Sequence, residues 1–473
     1  MFTLIGFFPI FAQEHGAKYV LETDPLVLQK LNEWQDLKFG LLMHWGPYSQ
    51  WGVVESWSIC SEDEGWCVRR IDDYEKYKKE YEGLKKTFNP KRFNPAKWSK
   101  AAREAGMRYV VFTTKHHDGF CMFNTALTDY KITDKECPFS ADPRSNITKE
   151  IFDAFRNDGL WTGAYFSKPD WHSPYYWWTN FATPDRNVNY DIKKYPERWQ
   201  NFIEYTHGQI NELMSDYGKV DILWLDGGWV APMTDEEIRE AVNRSGYKYQ
   251  RYQNQDINMA ELARKAREKQ PGLIVVDRAV PGKFQNYLTP ENTVPEKVLP
   301  YPWESCIIAG GGWSWVPDAK YRSARSVVHL LVDIVSKGGN LLLNIAPSPE
   351  GTWDDQAYIL LNDVGNWMRV NGGAIYGSRP ISPYKEGKTR LTSGKDGSLY
   401  IIYLADENEK EIPSKVWISS LQPREGAKVT ILGTEKNIEW EKIGNGFIIN
   451  IPESVQKKPP CEYAWTFRIS EIK

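Results

Sequence analysis

RYVVFTTKHHDGF, residues 108–120, opens as an apolar, β-branched run and closes on two histidines, an aspartate and a glycine. The run is short and its apolar residues do not alternate with polar ones, which describes a strand covered on both faces. Five further runs share this build: FGLLMHW (39–45), LWTGAYFS (160–167), VDILWLDGG (220–228), GLIVVDR (272–278) and NLLLNIAP (340–347). Helical patterns at 95–106, 149–159, 197–218, 256–270 and 318–339 lie between several of them. Within 197–218, Trp199, Phe202, Ile203, Ile210, Leu213 and Met214 share one face at helical spacing. Gly106, Gly159 and Gly218 close three of these patterns just before a strand, as left-handed caps do. Doubly covered strands alternating with helices predict a parallel α/β sheet. A doubly wound sheet would carry a glycine-rich phosphate loop after its first strand. That strand instead runs into HWGPYSQWG, with no GxGxxG. The expectation is a (β/α)8-type barrel over residues 14–376.

After Gly377 the texture changes. Short alternating runs, LYIIYLA (399–405), SKVWISS (414–420), AKVTILG (427–433), GFIINIP (446–452) and AWTFRI (464–469), are divided by charged or glycine-containing turns. They predict a smaller antiparallel β-sandwich at 377–473, joined through AIYGSRPISPY (374–384). At the other end, MFTLIGFFPIFAQ (1–13) is apolar and then abruptly polar, like the remnant of a signal peptide. Export to a periplasmic or extracellular space, or to the lysosome of a eukaryote, is the expectation. No run reaches the roughly 18 apolar residues of a membrane span.

A net charge of −3 leaves no basic footprint for nucleic acid. The 21 tryptophans suit either a large core or a ligand with apolar C–H faces, such as a sugar. The six cysteines show no zinc spacing, and only Cys60 and Cys67 are close enough in sequence to pair across a loop.

Catalytic side chains of a β/α barrel come from the C-terminal ends of its strands. The runs here end in His44, in His116-His117-Asp118, near Tyr165, in Trp224-Leu225-Asp226, in Asp277-Arg278 and in Asn344, so polar groups gather at one end. Asp226 is either a capping or salt-bridged carboxylate or a nucleophile or base. The histidine pair has three readings: core imidazoles bonded to backbone, ligands of a metal ion, or donors to the hydroxyls of a polyol. Adjacent histidines suit a single ion poorly, and no metal is expected. A carboxylate, imidazoles, an arginine and many tryptophans suggest glycoside hydrolysis, which needs a second carboxyl, about 5–5.5 Å away in a retaining enzyme. Glu291 in YLTPENTVP and Glu304 in PYPWESC are the candidates, both in stretches rich in proline and aromatics.

In their order these blocks resemble the α-L-fucosidases of glycoside hydrolase family 29. KFGLLMHWGPYSQWGVVESWS, AREAGMRYVVFTTKHHDGFCMFNT, DYKITD, VDILWLDGG, DR followed by TPE, and GGNLLLNIAPSPEGTWDDQAYILLNDVGNWMRVNGGAIYGSRP carry the likeness, over residues 30 to 380. The resemblance implies a retaining exo-α-L-fucosidase acting on fucosylated oligosaccharides or glycoconjugates by double displacement, without a cofactor. It implies Asp226 as nucleophile and Glu291 as acid/base, with Glu304 the fallback. It implies His44, Glu55, Trp57, His116, His117, Tyr165, Trp224 and Arg278 as sugar-binding residues, with Trp313 or Trp315 packing near the sugar. ESWS stands where many family members have EWY, and CSEDEGWCVRR (60–70) is an insert at the pocket rim. The rival expectations are an α-L-galactosidase with the same pocket, a carbohydrate-binding protein without turnover, and a metallohydrolase.

Overall fold

The structure, a computed structural model, describes residues 19–60, 69–245, 251–434 and 436–472. The leader expected at 1–13, and Cys67 with its pairing to Cys60, lie outside the described residues.

Seven parallel strands form the first sheet: β1 (Phe39–Met43), β2 (Tyr109–Lys115), β3 (Trp161–Ser167), β4 (Ile222–Asp226), β5 (Ile274–Asp277), β6 (Glu304–Ile308) and β7 (Asn340–Asn344). Their order is β5-β4-β3-β2-β1-β7-β6. Apolar residues such as Leu41, Leu42, Val110, Val111, Leu223 and Leu342 are fully buried on both faces, which is why the sequence reads as continuous apolar runs. Helices Pro95–Glu104, Ile147–Asn157, Pro196–Asp216, Met259–Lys269 and Ala324–Ser336 lie between the strands in chain order. Asn94, Asn258 and Ser323 cap three of them by accepting a backbone N–H with the side chain. Gly106 and Gly159 follow their helices with φ of 92° and 80°, a conformation glycine enters without a Cβ penalty.

Two expectations change. The stretch PYPWESC, read as a loop, contains the start of β6, so Glu304 is the first residue of a strand. The eighth place in the ring holds no regular strand. Residues 284–292 fill it as an irregular segment, with an antiparallel bridge from Gln285 to Val276 and parallel bridges from Leu288 to Trp303 and from Glu291 to Cys306. Its backbone bonds run to both sides, Asn286 N to Val275 O (3.0 Å) and Cys306 N to Pro290 O (3.1 Å). Pro290, within the segment, lacks the N–H that a regular ladder requires.

The second sheet has eight antiparallel strands: β8 (Arg379–Glu386), β9 (Thr389–Ser393), β10 (Leu399–Leu404), β11 (Lys415–Ile418), β12 (Val429–Ile431), β13 (Asn437–Ile443), β14 (Gly446–Asn450) and β15 (Ala464–Ile469). Its order is β11-β14-β13-β12-β15-β10-β9-β8, one hydrogen-bonded series curled around its own core of Leu391, Ile401, Ile418, Ile431, Phe447, Ile449, Trp465 and Phe467. The expected linker 374–384 is shorter than the sequence suggested: helix Asp355–Ile375 runs to Ile375 and β8 starts at Arg379. Trp367 Nε1 donates to Ala464 O (2.9 Å) and Arg390 pairs with Asp333 (2.7 Å), which ties this sheet to the helices of the first. Among the described residues no helix is long and apolar enough to cross a membrane.

Candidate active site

The C-terminal strand ends bring together side chains that are far apart in sequence. Asp226 is the last residue of β4 and Tyr165 lies in the neighbouring β3, in register with Trp224. Tyr165 Oη donates to Asp226 Oδ2 at 2.6 Å. Arg278, one residue past β5, is anchored by its backbone N–H on Leu225 O (3.0 Å). Its Nη1 donates to Asp226 Oδ1 at 3.0 Å, and its Nη2 to Glu291 Oε2. Glu291 sits on the segment that fills the eighth place, and Trp313 Nε1 donates to its other oxygen at 3.0 Å. One guanidinium thus spans two carboxylates. Burial disfavours the Asp226 anion, but Arg278 and the Tyr165 hydroxyl outweigh it and hold the carboxyl well below the usual range. Asp226 is therefore ionised at neutral pH, with its side chain 15% exposed beside a Glu291 that is 42% exposed.

Three imidazoles line the same mouth. His44 follows β1, with Nδ1 2.9 Å from Asn344 Oδ1. His116 stacks on Tyr165, ring centroids 5.6 Å apart, and its Nδ1 lies 2.6 Å from Ser56 Oγ. His117 Nε2 stands 3.8 Å from Asp226 Oδ2. Both members of the pair reach the site because the chain turns directly after them. Gly119 N bonds back to His116 O at 3.0 Å, and Gly119 has φ of 78°. A Cβ at that glycine would lie 2.2 Å from Asp170 Oδ1. Asp118 faces away, accepting from Tyr81 Oη (2.8 Å) and Phe120 N (3.1 Å). Burial lowers His44 and His117 to about 4 and His116 well below its ordinary value, so all three are neutral at pH 7. Glu55 is buried and accepts Ser314 N at 2.8 Å. Burial pushes it up to about 8, so it stands as a neutral acid able to donate.

The remaining expected residues divide. Trp57 packs edge-on to His117 (5.3 Å), one of three indoles around that ring with Trp171 (5.1 Å) and Trp229 (5.2 Å). Trp224 forms the floor, stacked on Tyr165 at 5.2 Å with the Arg278 guanidinium 5.3 Å from its ring. Trp313 lies against His44 (5.2 Å) as well as Glu291. Trp315 does not join them; its Nε1 donates to Asp354 at 3.0 Å. Glu304 is not at the mouth. It is level with Asn340, the first residue of β7, about 13 Å below the strand end at Asn344 by the rise of a parallel strand. There it accepts from Tyr109 Oη (2.5 Å) and Trp224 Nε1 (3.4 Å), and burial among neutral donors raises it to about 7.

Asn344, Ser56 and Ser314 were missing from the expected set. Asn344 had a signal, a lone amide ending an apolar strand; the serines had none. His116, His117 and Asp226 each offer a ligand atom within 4.8 Å of the others, the spacing of a metal site. The cationic partner of Asp226 is already the Arg278 guanidinium, and a metal ion would be placed beside that positive charge.

Known proteins point to one family. A family model described as Alpha-L-fucosidase matches residues 8–373, and one described as Alpha-L-fucosidase C-terminal domain matches residues 387–470. The tissue alpha-L-fucosidase of Bos taurus is 27% identical, over 96% of this chain and 92% of that one. The plasma alpha-L-fucosidase of Homo sapiens is 25% identical, over 95% and 92%. Alpha-L-fucosidase isoenzyme 1 from Paenibacillus thiaminolyticus superposes with a TM-score of 0.73 at 28% identity, covering 95% of this chain and all (100%) of that one. A Bacteroides thetaiotaomicron GH29 alpha-L-fucosidase, solved as a trapped covalent intermediate with 2-fluoro-fucosyl fluoride, shares the fold with a TM-score of 0.72 at 21% identity, covering 97% of this chain and 99% of that one. A model match over most of the length, with the second domain matched in its place, shows that this chain belongs to the alpha-L-fucosidase family of glycoside hydrolases.

Proposed function

We propose that the protein is a retaining exo-α-L-fucosidase that removes terminal α-L-fucosyl residues from glycans by double displacement. The observation that carries this reading is the pair of carboxyl groups, Asp226 and Glu291, held by one arginine at the mouth of the barrel, with Glu291 entering the first step protonated. Asp226, kept ionised, is the nucleophile: its carboxylate attacks the anomeric carbon while Glu291 protonates the departing oxygen. The covalent glycosyl-enzyme is then opened by a water that Glu291 deprotonates, and L-fucose leaves with its configuration kept. His44, His116, His117 and the neutral Glu55 face the sugar hydroxyls, and Trp313 offers an apolar wall beside Glu291. The trapped covalent intermediate of the Bacteroides relative supports the two-step course. The apolar opening stretch MFTLIGFFPIFAQ supports export to where fucosylated glycans are exposed.

The test is to incubate the protein with a 2-fluoro-fucosyl fluoride, digest it and map the label by mass spectrometry, while following the anomer released from an aryl α-L-fucoside by NMR. The expected outcome is a label on Asp226 and α-L-fucose as first product. A β-anomer as first product, or a label elsewhere, overturns the mechanism.

A further inference from the structure

The contacts behind the imidazoles decide what each ring shows to the substrate. Asn344 Nδ2 donates to two backbone carbonyls, Trp313 O at 2.9 Å and Gly312 O at 3.3 Å. Carbonyls only accept, so the orientation of this amide is fixed, and the atom facing His44 Nδ1 is an oxygen, 2.9 Å away. An amide oxygen also only accepts. His44 therefore carries its proton on Nδ1, and because burial keeps the ring neutral, its Nε2 is a bare lone pair. Ser56 arranges the opposite. Its hydroxyl is fully buried, and Oγ already accepts Asp118 N–H at 2.8 Å. Among the described residues the one acceptor for its proton is His116 Nδ1, at 2.6 Å. Reversing that bond would leave a buried hydroxyl proton without an acceptor. His116 thus accepts on Nδ1 and carries its proton on Nε2.

We propose that Asn344 and Ser56 are positioning residues that impose opposite tautomers on His44 and His116, so the pocket shows one imidazole acceptor beside one imidazole donor. The two rings are 5.7 Å apart, and each turns Nδ1 into the protein, which leaves Nε2 for the ligand. A sugar hydroxyl meeting His44 must donate, and one meeting His116 must accept. A free hydroxyl does both; a fluorine or an ester at the same carbon cannot donate. The pair therefore selects an unsubstituted hydroxyl on that face of the glycone. The substrate side of this inference rests on the fucosidase reading, whereas the tautomers do not.

The experiment uses ligand-free full-length protein labelled with 15N only in histidine, which gives seven residues to assign. The expected spectrum has His44 protonated at Nδ1 and bare at Nε2, and His116 the reverse. Ser56→Ala should move His116 to mixed tautomers and lower kcat/KM on an aryl fucoside about tenfold, the worth of one hydrogen bond. Ser56→Thr, which keeps the hydroxyl, should restore both. Asn344→Asp should keep the His44 proton on Nδ1 but raise the pH at which that ring titrates. The same tautomer on both rings, or an unchanged His116 spectrum in Ser56→Ala, overturns the proposal. Intact tautomers in a protein that does not cleave fucosides would count against the activity and leave the tautomer arrangement standing.

Discussion

Replacing Arg278 with methionine tests the electrostatic core of the site. The guanidinium gives Asp226 a hydrogen bond at 3.0 Å and is the largest influence holding that carboxyl down against burial. A buried hydrogen bond to a charged group contributes about 1.5–3 kcal/mol. At 1.36 kcal/mol per pKa step, removing it should raise the Asp226 pKa by about one to two. The assay is kcat/KM for an aryl α-L-fucoside against pH. The acid limb of Arg278→Met should lie about one to two pH steps above that of the wild type, whatever the overall fall in rate. Arg278→Lys, which keeps the charge but cannot fork to two carboxylates, should fall between. Stability gives a second readout. A depressed carboxyl contributes stability that is present above its unfolded pKa, near 3.8, and is lost as the pH falls towards its folded value. The stability gap between wild type and Arg278→Met should therefore hold from pH 7 down through the unfolded pKa and close only as the pH falls below the folded-state pKa of the variant's Asp226. An acid limb that stays in place while kcat/KM falls would mean that Arg278 only touches substrate and does not set the charge of Asp226.

The other expectations follow from the same geometry. Asp226→Ala should lose turnover by several orders of magnitude while remaining folded, and azide should rescue it to give a β-fucosyl azide; near wild-type turnover would remove Asp226 as nucleophile. Glu291→Ala should spare aryl fucosides with good leaving groups relative to poor ones, read as the slope of log kcat/KM against leaving-group pKa. Glu304→Gln should show no such slope and keep activity within a fewfold; if it shows the slope, the acid/base is at the wrong address. Glu304→Gln should also change stability. The Glu304 pKa rises from 4.5 to about 7 on folding, so its contribution is present below pH 4.5 and lost as the pH climbs to 7, by about 3 kcal/mol in urea titrations, and the glutamine should flatten that decline. Gly119→Ala, with its Cβ forced onto Asp170, should destabilise the fold by about 1–3 kcal/mol and weaken fucose binding through both imidazoles.

The barrel is legible because a doubly buried strand leaves an unbroken apolar run, and the sequence carries six such runs. β6 was missed because its run, ESCII, begins with a charge and follows PYPW, where prolines and aromatics signal a loop. That single omission put Glu304 at the mouth, whereas as the first residue of a parallel strand it belongs at the opposite end. The seven-plus-one ring was equally hidden. The segment 284–292 has no strand periodicity and owes its place to backbone bonds with β5 before it and β6 after it. Asp226, Arg278, His44 and the histidine pair were readable as polar ends of apolar strands. Ser56 and Ser314 were not, since a serine in a loop has no pattern until its partner is in place. Trp313 and Trp315 were indistinguishable for the same reason: two residues apart, one turns to Glu291 and the other to Asp354.

Two buried acids of the barrel, Asp226 and Glu304, are shifted in opposite directions, and the difference lies in their partners, not their depth. Asp226 and Glu304 are joined through Trp224, which bonds Glu304 and stacks on the tyrosine that bonds Asp226. Both are surrounded by aromatic rings, and burial disfavours both anions. The donors at Glu304, Tyr109 and Trp224 among them, are neutral, and burial raises it to about 7. Asp226 receives a neutral donor and a guanidinium, and is held as an anion. At Glu304 the neutral donors do not offset burial, whereas at Asp226 the cation does. On the proposed mechanism, Arg278 therefore sets Asp226 apart as the nucleophile, and the irregular segment brings Glu291 to its other arm as the proton donor.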